Sequence, residues 1–136
     1  EYDAFIVACH DDVNLEAIRE QTDKLVLGIG EVSVKVATIL GHRFSVIQVT
    51  SRSVPIKEDL MLKYGVLGQC ASVRPVDKHS KADNLEKIAQ AGRLAIDQDG
   101  AEVIVLGCAG LTGLETELAE RLGWCSMRLE NCGKSC

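Results

Sequence analysis

Two stretches, Tyr2-Asp3-Ala4-Phe5-Ile6-Val7-Ala8-Cys9 and Ala101-Glu102-Val103-Ile104-Val105-Leu106-Gly107-Cys108, share one design: an apolar run of strand length that ends in a cysteine. The likeness continues at a constant offset beyond the thiols, where Leu15-Glu16 matches Leu114-Glu115. Each cysteine therefore occupies the same place in a repeated strand–turn–helix unit. A single cysteine in an apolar strand is most simply a small buried hydrophobe. Two at equivalent strand ends point elsewhere, because open α/β sheets hold their ligands outside the carboxyl ends of their strands. The helix that follows also favours a thiolate at its N-terminus. The repeat predicts a cleft between two pseudo-symmetric halves, with one thiol on each wall.

Outward from these units, strands and helices alternate. Residues 4–9 read as a buried strand, followed by a helix over about 13–21 with Asp11 or Asp12 as its cap. Leu25 to Leu27 form a short strand that runs into Gly28-Ile29-Gly30-Glu31 and a helix ending at Leu40. This is no dinucleotide fingerprint, since Ser33 stands where a third glycine is needed; the glycines serve a tight turn and close packing. Residues 43–49 make a third strand, which leads into the hydroxyl-rich turn Thr50-Ser51-Arg52-Ser53 and a helix from Pro55 to about Tyr64. A short strand near 71–74, a polar loop and an amphipathic helix over 82–97 precede the second cysteine strand and a helix to about Leu122. Strands separated by helices imply mostly parallel sheets with right-handed crossovers. The fold class is thus α/β, two pseudo-symmetric parallel-sheet halves with flanking helices, the first half incomplete.

Composition narrows the function. The chain has 136 residues, 46% of them hydrophobic, and a net charge of −5 with pI near 5.2. No basic run appears and only 4% of residues are aromatic, which argues against nucleic acid as a partner. The apolar runs are strand-sized, which argues against a membrane partner. Of the six cysteines two lie in core strands, so they read as free thiols of a reducing, cytoplasmic compartment rather than a disulfide scaffold. No Cys-x-x-Cys or finger-spaced histidine pair suggests a metal.

Several motifs together resemble the hydantoin/allantoin racemase branch of the aspartate/glutamate racemase superfamily. They are Ile6-Val7-Ala8-Cys9 with its acidic turn, Gly28-Ile29-Gly30-Glu31, Gly41-His42-Arg43-Phe44-Ser45-Val46, Thr50-Ser51-Arg52, and the most specific, residues 100–110, which end Gly107-Cys108-Ala109-Gly110. The resemblance covers about residues 2–122. It implies a cofactor-independent racemase of cyclic ureides, 5-substituted hydantoins or allantoin, that uses two bases. The chemistry also follows from the residues: inverting a carbon beside a carbonyl takes a base on one face and an acid on the other, which two opposed thiols supply. Cys9 and Cys108 are the catalytic candidates. The amides at His10-Asp11 and Ala109-Gly110 are candidate donors to the enolate-like oxygen. Thr50 and Ser51 are candidates for holding the ring, with ordinary turn chemistry as the equal alternative. His10 is a further candidate contact to substrate or to Cys9, whereas Asp11 and Asp12 place negative charge beside that thiol.

The expected partner is a small cyclic ureide or amino-acid derivative, and a homo-oligomer is compatible with the sequence. Two alternatives stay open: an amino-acid racemase, although that branch has Cys-Asn-Thr and Cys-Thr-His where this chain has Cys9-His10-Asp11 and Cys108-Ala109-Gly110, and an inactive fragment or redox-sensitive thiol protein. The resemblance further implies that residues 1–29 are the remnant of a first α/β domain and 30–122 a second. A preceding strand and substrate-holding loop, and a closing strand and helix, are missing, so the span by itself is expected to have little activity. Residues 123–136 are atypical. From Trp124 an apolar strand is due and none is written, and one permitted set of codons read two bases further on spells Val-Leu-Asp-Ala-Val, so the tail is read as frame-shifted.

Overall fold

The computed structural model describes residues 2–77 and 81–123, the side chains of 81–84 excepted. Two parallel sheets organise it. The smaller pairs β1 (Ala4–Val7) with β2 (Leu25–Gly28), joined by α1 (Leu15–Glu20). The larger has three strands in the order β4-β3-β5: β3 (Phe44–Gln48) lies between β4 (Cys70–Pro75) and β5 (Val103–Leu106). Helix α2 (Ile29–Leu40) connects the sheets, α3 (Val54–Lys63) and α4 (Lys81–Asp97) form the crossovers within the larger one, and α5 (Glu115–Leu122) follows β5. The alternating order and its parallel sheets are those the sequence predicts.

Every residue of β3 is buried, as befits a central strand covered on both faces. Side-chain alternation divides the work. Phe44 and Val46 join Val34 and Ala37 of α2, Met61 of α3, Tyr64, Val66 and Val105 in one cluster. Ile47 joins Ile88, Ala89 and Ala91 of α4, Leu111 and Leu118 in another. On this second face Ser45 pairs its hydroxyl with that of Ser72 on β4 at 2.8 Å, so the one polar inward residue at that level is satisfied. The next residue on the first face, Gln48, emerges at the carboxyl end of the strand, and that position becomes important below.

Helix α3 packs on one face of the sheet and α5 on the other, although they follow the neighbouring strands β3 and β5. The chain therefore leaves adjacent strand ends in opposite directions. Such a switch point leaves a crevice between them. Bidentate Arg74–Asp99 contacts at 2.6 and 2.9 Å tie β4 to the turn after α4. Arg19 bridges α1, the Val26 carbonyl and Glu31 of α2.

The smaller sheet is differently dressed. The strand expected to be buried over 4–9 is Ala4–Val7 and is not buried, since it has a single strand neighbour among the described residues: Phe5, Ile6 and Leu25 are exposed, as are Val32, Val36 and Ile39 on α2. Among the described residues β1 pairs only with β2. The expectations for the tail beyond Gly123 lie outside the described residues, as do Cys125, Cys132 and Cys136.

Candidate active site

The crevice is a cleft of about 360 Å³. The residues after β3 line one part of it, with Gln48, Val49, Thr50 and Ser53; those after β5 line another, with Gly107, Cys108 and Ala109; and Ala8, Cys9, His10 and Asp11 close it from the end of β1. A second cavity of about 280 Å³ adjoins it across His10, Cys108 and Ala109, with Ile29, Leu106, Thr112 and Glu115 around it. Both cysteines are free and half-buried.

The turns after the two cysteines match. The Asp12 amide donates to the Cys9 carbonyl at 2.9 Å, and the Leu111 amide donates to the Cys108 carbonyl at 3.0 Å. Each thiol thus sits at the mouth of the same four-residue turn, the structural form of the repeat. Gly107 lets its strand end lie flat on β3, because a Cβ there would come within 2.7 Å of Val46 and 3.0 Å of the Ile47 carbonyl.

The turn after Cys9 carries charge that its counterpart lacks. The Lys57 side chain, on α3, is fully buried. Two of its N–H groups bond to His10, on the carbonyl at 2.5 Å and on Nδ1 at 2.9 Å, and the ammonium forms an ion pair with Asp11 Oδ1 at 2.7 Å. Gln48 Nε2 donates to the same Asp11 oxygen at 3.3 Å. The Ser33 hydroxyl donates to the Gly30 carbonyl at 2.9 Å, so it accepts from His10 Nε2–H at 2.8 Å. This network assigns the imidazole as the Nε2–H tautomer with Nδ1 facing Lys57. Burial, and then the Lys57 charge, lower the His10 pKa from 6.5 to about 4. At neutral pH the ring is uncharged, and both its nitrogens are bonded within the protein.

Asp12 does not cap the first helix as expected. Helix α1 starts later, at Leu15, behind Asn14, and no side chain caps it. The Asp12 carboxylate instead accepts the amides of Gly30 at 3.0 Å and Glu31 at 2.6 Å, at the start of α2, and the Tyr64 hydroxyl at 2.6 Å. Asp12 adopts φ +48°, a conformation that aspartate tolerates better than most residues. A Cβ at Gly30 would lie 2.3 Å from the His10 carbonyl and one at Gly28 would lie 2.4 Å from Asp12 Oδ1. These glycines permit close packing, as their sequence context suggests.

The remaining candidates divide. Thr50 borders the cleft. Ser51 is turned away, its amide and hydroxyl both donating to Asp77, because the 3₁₀ turn Ser51–Ser53 rotates successive residues apart and brings Ser53 inward in its place. Ala109 borders both cavities. Gly110 sits behind it, its Cβ position 3.5 Å from Cys108 Sγ. Cys70 is remote from the cleft, and burial pushes its thiol up to about 11.

Neither Lys57 nor Gln48 belongs to a motif of the sequence. A signal for Lys57 was there: Val54, Lys57, Met61 and Tyr64 fall at helical spacing on one face of α3, so a lysine stands at a core-facing position. Gln48 shares strand parity with Phe44 and Val46.

Fold and cleft define a class: a parallel α/β protein with two cysteines at equivalent strand ends on one crevice. A family model described as Asp/Glu/Hydantoin racemase matches residues 1–126, and the chain belongs to that family. It is 43% identical over 129 residues to a hydantoin racemase of Rhizobium meliloti, covering 89% of this chain and 53% of that protein. It is 39% identical over 127 residues to a hydantoin racemase of a Pseudomonas species, covering 89% and 51%. The crystal structure of allantoin racemase from Pseudomonas fluorescens superposes with a TM-score of 0.87 at 34% identity, over 91% of this chain and 55% of that one. The chain spans about half the length of the relatives it matches.

Proposed function

We propose that this chain carries the catalytic cleft of a cofactor-independent racemase of five-membered cyclic ureides, hydantoins or allantoin. The observation that supports this most is the shared cleft of Cys9 and Cys108, reached from two equivalent turns. One cysteine, as thiolate, takes the proton from the ring carbon beside the carbonyl; the C–H electron pair passes onto the carbonyl oxygen as an enolate. The other, as thiol, gives its proton to the opposite face of the same carbon while the enolate electrons return. One S–H bond forms, one breaks, and the roles exchange for the other enantiomer. Asp11, Ala109 and Gly110 offer backbone amides to the enolate oxygen. Thr50 holds a ring carbonyl or ring N–H, and His10 forms a neutral wall between the two cavities.

The lining favours a neutral ring over a free amino acid. None of the described residues that border the cleft is Lys or Arg, and the buried Lys57 is already committed to Asp11 and His10. Among the described residues that border the cleft, an α-carboxylate would find no cationic partner of the kind such groups ordinarily take.

The test is polarimetry of the full-length gene product with L-5-benzylhydantoin, allantoin and L-glutamate, together with Cys9→Ser and Cys108→Ser. Rotation should decay for a ring substrate and not for glutamate. Each serine variant should lose racemisation yet exchange deuterium into one enantiomer. Stable rotation with both rings, or a serine variant that still racemises at more than about a tenth of the normal rate, would refute the reading.

A further inference from the structure

Lys57 is a fully buried cation that the proton transfers do not use. Burying an ammonium is costly unless it is paired and hydrogen-bonded, and here both its hydrogen bonds and its ion pair go to the two residues that follow Cys9. No other described element bonds to it. The turn after Cys108 has Ala109 and Gly110 in the corresponding places, so only one wall of the cleft is built this way.

Two physical consequences follow. First, Lys57 fixes the direction of the His10 carbonyl, and since a trans peptide sets C=O and N–H antiparallel, it aims the Asp11 amide the opposite way. Second, Asp11 borders the cleft beside Cys9 and carries a negative charge that would oppose formation of a second anion there. The Lys57 contact at 2.7 Å compensates it. The other ionisable groups packed around this turn are accounted for. His10 is neutral, Asp12 faces the start of α2, and Tyr64, whose hydroxyl burial and Asp12 keep protonated, donates to Asp12.

We propose that Lys57 is the positioning residue of the Cys9 wall: it sets the Cys9-His10-Asp11 turn and compensates Asp11, and it does nothing comparable for Cys108. The consequence for racemisation rests on the reading above, but the thiol environment can be measured without turnover.

The experiment is alkylation by iodoacetamide at neutral pH, with Cys9 and Cys108 resolved by mass spectrometry. The proteins are the wild type, Lys57→Met and Asp11→Asn. Thiolates are the alkylated form. Lys57→Met should slow Cys9 by roughly tenfold, the scale of a lost charge-assisted contact, with Cys108 within about twofold. Asp11→Asn, which removes the anion and leaves the lysine, should speed Cys9. Opposite signs at one cysteine are not produced by general loosening of the fold. Equal changes at both cysteines, or an unchanged Cys9 in Asp11→Asn, would overturn the proposal; should Lys57→Met not fold, the Asp11→Asn result decides alone. In the full-length gene product, Lys57→Met should also depress deuterium exchange by the Cys108→Ser protein and spare exchange by Cys9→Ser. If neither serine variant exchanges at all, the racemase reading fails while the alkylation result stands.

Discussion

The Tyr64 hydroxyl donates to Asp12 Oδ2 at 2.6 Å across a buried contact between the end of α3 and the turn that carries Cys9. Tyr64 lies two helical turns from Lys57, so one face of α3 grips that turn at two points: Lys57 through His10 and Asp11, Tyr64 through Asp12. The carboxylate is shared with the start of α2, so helices α2 and α3 and the first cysteine are fixed to one another by a single side chain.

Asp12→Ala should therefore destabilise the protein more than an ordinary cap deletion. It strands two amides and a hydroxyl, and about 2–4 kcal/mol is expected. Tyr64→Phe, which loses one donor and keeps the ring in the core, should cost about 1–2 kcal/mol. Urea denaturation followed by far-UV circular dichroism measures both. Equal losses in the two variants would mean that the amides of Gly30 and Glu31 do not depend on Asp12.

Stability should also depend on pH through His10. Its folded pKa is about 4 against 6.5 for a free imidazole. Between these values the unfolded chain binds a proton that the folded chain refuses, so stability is full above about 6.5 and falls as pH drops toward 4. The loss should approach roughly 3 kcal/mol. His10→Gln should flatten that part of the profile. An imidazole titration midpoint near 6.5 in the folded protein, read by NMR, would contradict the buried neutral ring.

Thr50 and Ser51 should behave differently despite standing side by side. Thr50→Val is expected to raise KM for a ring substrate several-fold, on the scale of one lost hydrogen bond. Ser51→Ala should leave KM within about twofold, because its hydroxyl serves Asp77 rather than the cleft. A larger KM effect at Ser51 than at Thr50, in steady-state kinetics of the full-length gene product, would show that the turn is read in the wrong orientation.

The sequence by itself determined the parts of this protein that depend on local pattern. Strand and helix order follow from apolar runs and helical spacing in residues 4–122, and the equivalence of Cys9 and Cys108 follows from a repeat that any alignment of the chain with itself reveals. Parallel pairing and a crevice at the strand ends follow from that order. Partner choice was not legible. Asp12 looks like a cap for the helix just after it, and only the approach of α2, allowed by Gly28 and Gly30, gives its carboxylate to Gly30 and Glu31 instead. Ser51 looks equivalent to Thr50 until a 3₁₀ turn separates them. Lys57 shares a helical face with Val54, Met61 and Tyr64, but the partners of the buried cation come from residues 10 and 11, far away in the chain, with two hydrogen bonds and an ion pair. Local pattern fixes what each segment becomes. Which buried polar group satisfies which is decided only when the segments meet, since the cost of burying a charge is paid or avoided by neighbours that sequence distance does not announce.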